Sequence, residues 1–65
     1  MSAEIRYNRE INGYRLQVVK STDGAANYYT ALLTDTITGA TSRSDGWRSY
    51  PDALDMVRTM YERAM

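Results

Sequence analysis

Apolar and polar residues alternate through residues 5–11, 14–19 and 28–35, and after residue 50 the apolar positions recur at steps of three and four. A period of two marks a strand with one buried face, and the longer period marks a helix lying on an apolar surface. Asn12-Gly13 divides the first two alternating runs, which predicts a hairpin with those two residues as its turn. Ile11 then lies opposite Tyr14, and Arg9 opposite Leu16. Ile5, Tyr7, Arg9 and Ile11 share a face with Tyr14, Leu16 and Val18, while Arg15, Gln17 and Val19 share the other. Arg9 is out of place in an inward set, so the first arm is expected to be frayed, bulged or an edge strand.

Ser21-Thr22-Asp23-Gly24-Ala25-Ala26-Asn27 reads as a loop by composition, tightest at Asp23-Gly24. The Tyr28 to Asp35 strand should turn Tyr29, Ala31 and Leu33 inward. Residues 35–39 form a turn, and Ala40 to Trp47 a polar, largely solvated edge strand closed by Trp47. Ser49-Tyr50-Pro51-Asp52 is a helix start: Ser49 caps the Asp52 N–H, the Asp52 side chain reaches back, and Pro51 loses nothing in the first turn. Asp52 and Asp55 lie near the positive end of the helix dipole and Arg63 near the negative end. Ala53, Leu54, Val57, Met60, Tyr61 and Ala64 form the stripe facing the sheet, and Arg58 and Glu62 should pair on the wet side. Trp47 is expected to close the core beside Leu54.

The predicted fold is α+β, a single domain over residues 1–65. A small antiparallel sheet of three to four strands carries one C-terminal helix on one face, in the order β-β-β-(β)-α. The other sheet face is left open, to be polar or used. At 65 residues only about 60% of the unfolded chain's surface is buried, so stability should be marginal.

Composition removes most chemistry. The chain has no Cys and no His, so Ser/His and Cys/His nucleophilic catalysis is excluded, no structural zinc site is expected, and no cofactor is implied. Asp52 and Asp55 are accounted for by the helix start. Glycines 13, 24, 39 and 46 fall at turns and form no phosphate-cradling pattern. The expectation is a non-enzyme without catalytic or metal-ligating residues. No apolar run reaches membrane-span length. Met1 to Arg6 holds an early acid and no apolar core, unlike a signal peptide. A soluble cytoplasmic protein is therefore expected.

Eight basic residues balance eight acidic ones. Residues 1–20 hold Arg6, Arg9, Arg15 and Lys20 against Glu4 and Glu10, a mildly basic hairpin. Aromatic usage is lopsided, with six Tyr, one Trp and no Phe, and Tyr suits half-buried and interface positions. The candidate partner-binding set is Arg6, Tyr7, Arg9, Tyr14, Arg15, Tyr28 and Tyr29, which interleaves cations with rings. These residue types dominate protein interfaces and also stack bases and touch phosphates. Zero net charge favours protein.

The run Gly46-Trp47-Arg48-Ser49-Tyr50-Pro51-Asp52-Ala53-Leu54 resembles the strand-to-helix junction of HicB-type antitoxins, where an aromatic strand end, a Thr or Ser cap, an acid and Ala-Leu open the helix of a small three-stranded domain. No functional residue carries over. In size and element order the chain is also similar to small phage-encoded inhibitors of bacterial defences, including anti-CRISPR proteins. Together these imply a non-enzymatic binding protein, phage- or mobile-element-borne, that modulates a larger protein or nucleoprotein complex through its open sheet face. Two rival readings remain: a small single-stranded nucleic-acid binder using the same Arg/Tyr surface, and a structural module that forms homodimers through a strand edge.

Overall fold

Asn12 and Gly13 both take positive φ (50° and 81°), the conformation of a two-residue turn whose twist matches the strands beside it. The first hairpin therefore forms in the register expected from the sequence, with Ile11 opposite Tyr14 and Arg9 opposite Leu16. The computed structural model describes residues 2–65, with Met1 outside them. It contains strands β1 (Ser2–Ile11), β2 (Tyr14–Asp23), β3 (Ala26–Asp35) and β4 (Thr41–Trp47), followed by helix α1 (Tyr50–Ala64). The strands form one antiparallel sheet in chain order, β1-β2-β3-β4. α1 packs on one face, over β2, β3 and β4. This is the α+β architecture expected, with all four strands formed.

The expected loop at residues 21–27 is instead the end of a second hairpin. Ser21 pairs with Tyr28, Thr22 with Asn27 and Asp23 with Ala26, leaving Gly24 and Ala25 as the turn. Gly24 supplies the positive φ (63°) that so tight a turn requires. Polarity was a poor guide here. Thr22 donates its hydroxyl hydrogen to the Asn27 side chain at 3.1 Å, so the polar residues satisfy each other across the ladder.

Register brings Leu16 beside Leu33 and Val18 beside Ala31. With Ala53 and Val57 of α1 they make up the buried core. Tyr29, Ala31 and Leu33 face inward as expected, and Trp47, Tyr50, Leu54, Met56, Met60 and Tyr61 pack around them. Met56 joins this shell although the expected stripe omits it, while Ala64 of that stripe is exposed. Trp47 closes the strand-to-helix corner, half-buried, with its indole N–H donating to Ser44 Oγ at 3.0 Å.

Both outer strands are bulged. In β1 the register shifts between Ile5 and Tyr7, so two steps along β1 match a single step from Val19 to Val18 in β2. A one-residue slip moves a side chain to the other face. Ile5 consequently leaves the expected inward set, pairs with Val19 on the open face and stands 58% exposed. In β4 the shift falls between Ser44 and Trp47, with Gly46 at φ 82°. The central pair β2–β3 runs without a shift.

The helix begins as its sequence demands. Ser49 is extended (φ −130°, ψ 150°) and its Oγ accepts from the Asp52 N–H at 3.3 Å, a cap worth about 1 kcal/mol. The return bond from the Asp52 carboxylate does not form among the described residues; the side chain is one methylene short of the usual Glu. Arg58 and Glu62 likewise form no ion pair among the described residues, and both line the groove between α1 and β1.

Candidate interaction surfaces

The seven Arg and Tyr residues singled out from the sequence do not share one surface. Strand alternation and register place Tyr7, Arg9, Tyr14 and Tyr29 on the helix side of the sheet, and Arg15 and Tyr28 on the open side. Tyr14 packs edge-on against Tyr61 (5.8 Å between centroids, 80°) and Tyr29 against Tyr50 (6.2 Å, 69°). The Tyr14 hydroxyl donates to the Ala64 carbonyl at 3.2 Å. These two tyrosines are engaged in joining sheet to helix. Tyr7 packs against the core margin. Arg6 sits at the β1 bulge and is paired with Glu4 at 2.8 Å.

The open face gathers other residues. Across its rows stand Glu10, Arg15, Thr34 and Thr41; then Asn8, Gln17, Leu32 and Arg43; then Ile5, Val19 and Thr30; then Ala3, Ser21 and Tyr28; and, nearest the second turn, Asp23 and Ala26. Arg15 donates from Nε and Nη2 to a single Glu10 oxygen at 3.0 and 2.6 Å. Arg43 donates to Asp45 at 2.7 Å, and the Thr30 hydroxyl donates to the same carboxylate oxygen at 2.9 Å. Both arginines of the open face are thus matched by a neighbouring carboxylate. At the Tyr28 end a shallow cleft of about 370 Å³ lies between Tyr28, Thr30, Arg43 and Asp45.

Of these residues the sequence-derived set contained only Arg15 and Tyr28. Glu10 was recoverable, since the Asn12-Gly13 register places it opposite Arg15. Arg43 and Asp45, two apart on a polar strand, were recoverable as same-face opposite charges. Ile5 was not, because Arg9 suggested a bulged or edge strand but no residue type at 5–7 gives the bulge its position.

Two aspartates have lowered pKa values. Asp35 accepts from the Ile37 and Thr38 backbone N–H groups at 2.9 and 3.1 Å, and these bonds favour its ionised form. This holds the β3–β4 turn, whose Thr36 donates from both N–H and hydroxyl to the Gly13 carbonyl. Asp45 is lowered first by the bond from Arg43 and then by that from Thr30. A carboxylate whose folded pKa lies below its unfolded value stabilises the fold above the unfolded pKa, about 3.9 for Asp, and loses that contribution as pH falls through the folded value. The thermal midpoint should therefore decline below about pH 4. An Asp35→Asn/Asp45→Asn double variant should show a shallower decline. Parallel curves for the two proteins, measured by circular dichroism from pH 7 to 2, would remove these groups as the cause.

Among the described residues no helix is long and apolar enough to cross a membrane. Among the described residues no cluster of His, Cys, Asp or Glu is placed to hold a metal ion. Comparison with known protein families, with characterised proteins and with solved structures finds no match to this chain.

Proposed function

We propose that the protein is a non-enzymatic binding protein whose working surface is the open sheet face, engaging a larger protein partner. The observation that carries this is the charge state of that face. Its two arginines are neutralised by Glu10 and Asp45; Leu32 stands beside Arg43, and Val19, Ile5 and Tyr28 continue the face toward the second turn. A polyanion binder presents cations that can displace counterions. A surface without excess positive charge that mixes apolar, aromatic and paired charged groups matches the centre and rim of a protein interface. Size agrees: principal extents of 36 × 19 Å give a face on the order of 700 Å², close to the ~800 Å² per partner of a standard interface. The bulges in β1 and β4 interrupt both strand edges, which disfavours continuous edge-to-edge dimerisation and leaves the face as the larger uninterrupted surface.

Leu32→Glu places a charge at the middle of the proposed surface without touching the core. Its melting curve should match wild type within about 0.5 kcal/mol, while the proteins co-purifying with tagged wild type from its host should be lost. An unchanged co-purifying set would put the contact elsewhere. Labelled single-stranded DNA and RNA, titrated over a range of salt, separate the nucleic-acid reading. Tight and steeply salt-dependent binding would sink the protein-partner assignment.

A further inference from the structure

The helix covers only part of the inner sheet face, and a groove remains where it stops. α1 lies over β2, β3 and β4, so the inner side of β1 projects past its flank. The space between them is about 210 Å³. Its floor is apolar, formed by Leu16, only 4% exposed, and by half-buried Ile11. Tyr7 and Tyr61 line its sides. The Tyr61 wall is fixed in place, since its hydroxyl accepts from the Asn12 amide at 2.7 Å and its ring packs on Tyr14.

The rim carries charge. Arg9, Arg58 and Glu62 stand there, all exposed. The ion pairs found among the described residues engage Arg6, Arg15 and Arg43 and leave Arg9 and Arg58 out. The groove therefore combines an apolar floor with an excess of positive charge. Beside it runs the outer edge of β1, regular from Tyr7 to Ile11 and ended on the other side by the bulge. Alternate backbone N–H and C=O groups of such an edge point outward, ready to pair with an added strand.

We infer that this groove and the adjoining Tyr7–Ile11 edge bind an extended acidic segment of a partner protein. One apolar side chain of the segment fills the groove, and a neighbouring carboxylate meets Arg9 and Arg58. Main-chain pairing supplies affinity in this mode, and the side-chain pocket supplies selectivity. Carboxylate is the matching charge because guanidinium groups bind it through strong, directed hydrogen bonds. A second copy of the chain is a poorer occupant, because its β1 strand sets Arg6 and Arg9 against Glu4 and Glu10 and so brings no excess of negative charge to a positive groove. The groove lies on the opposite side of the sheet from the surface proposed above, so this inference does not depend on that one.

The test uses acetylated, amidated pentapeptides with two acidic residues on each side of a central Leu, Phe, Trp or Met, added to isotope-labelled protein and followed by amide chemical shifts. At least one peptide at millimolar concentration should produce saturable shifts confined to residues 7–11, 16 and 58–62. Reversing the peptide's charges, or replacing its central residue by Ser, should weaken binding about tenfold or more. Arg9→Glu with Arg58→Glu should do the same, and both positions are exposed, so the variant should stay folded. Four results would overturn the inference: no shifts with any peptide, equal binding of the basic peptides, shifts centred on Val19 and Leu32, or concentration-dependent shifts at residues 7–11 without peptide. The last would identify a second copy as the occupant. Because the peptide comparisons use the wild-type protein alone, the inference can fail even if the variant misfolds.

Discussion

Leu33→Ala should leave the domain close to its unfolding midpoint at room temperature. Leu33 is 5% exposed, paired with Leu16 and beneath α1. Truncating a buried leucine costs about 2–5 kcal/mol, the spread reflecting how far the neighbours close the cavity. Closure is limited here, because the surrounding core consists of Leu16, Val18, Ala31, Ala53 and Val57, and the two alanines have no side chain to extend. A domain of this length has in total about 3–10 kcal/mol of stability. One substitution thus removes a large share of it. Urea unfolding followed by circular dichroism should give a midpoint near zero denaturant, against a Thr41→Ala control within about 0.5 kcal/mol of wild type. A midpoint loss no larger than the control's would mean that the sheet, and not its contact with the helix, holds the fold.

The second large effect is expected at Trp47. It pairs with Tyr29 after the β4 bulge and packs against the core margin, where it couples the last strand to the start of α1. Trp47→Ala should cost about 3 kcal/mol, the low end for a large aromatic because the ring is half-buried. Trp47→Phe should recover most of that. It restores ring volume and gives up only the bond to Ser44, worth about 0.5–1.5 kcal/mol. If Phe is no better than Ala, the indole N–H bond rather than packing anchors the corner. Trp47 is the sole tryptophan, so both variants are best followed by backbone signals.

The elements whose cause is local were legible in the sequence. Asn12-Gly13 determined the first hairpin and its register, the Ser49 cap and Pro51 determined the helix start, and alternation assigned Tyr29, Ala31 and Leu33 to the core. Features set by neighbours across space were not. Arg9 marked the first arm as bulged or an edge strand, and it is both, but no residue at 5–7 gave the position of the bulge that turns Ile5 to the opposite face. The second hairpin was hidden by polar residues that satisfy one another across strands. The same limit explains the candidate site. Arg and Tyr types were visible along the chain, but which side of the sheet each would occupy, and which Arg already had a carboxylate, depended on pairings between strands. Tyr14 and Tyr29 are bound up with α1, while Arg43, Asp45 and Leu32 on the open face drew no notice.

The strands pair in chain order, and this has a consequence for the nascent chain. Each strand meets a neighbour already made, through short loops with little closure entropy to overcome. The sheet can therefore zip together while synthesis continues. Its apolar inner face, however, stays uncovered until Tyr50–Ala64 has emerged and docked. In that interval the chain presents Leu16, Val18 and Leu33 to the surrounding medium, the kind of exposure that draws chaperones or leads to aggregation.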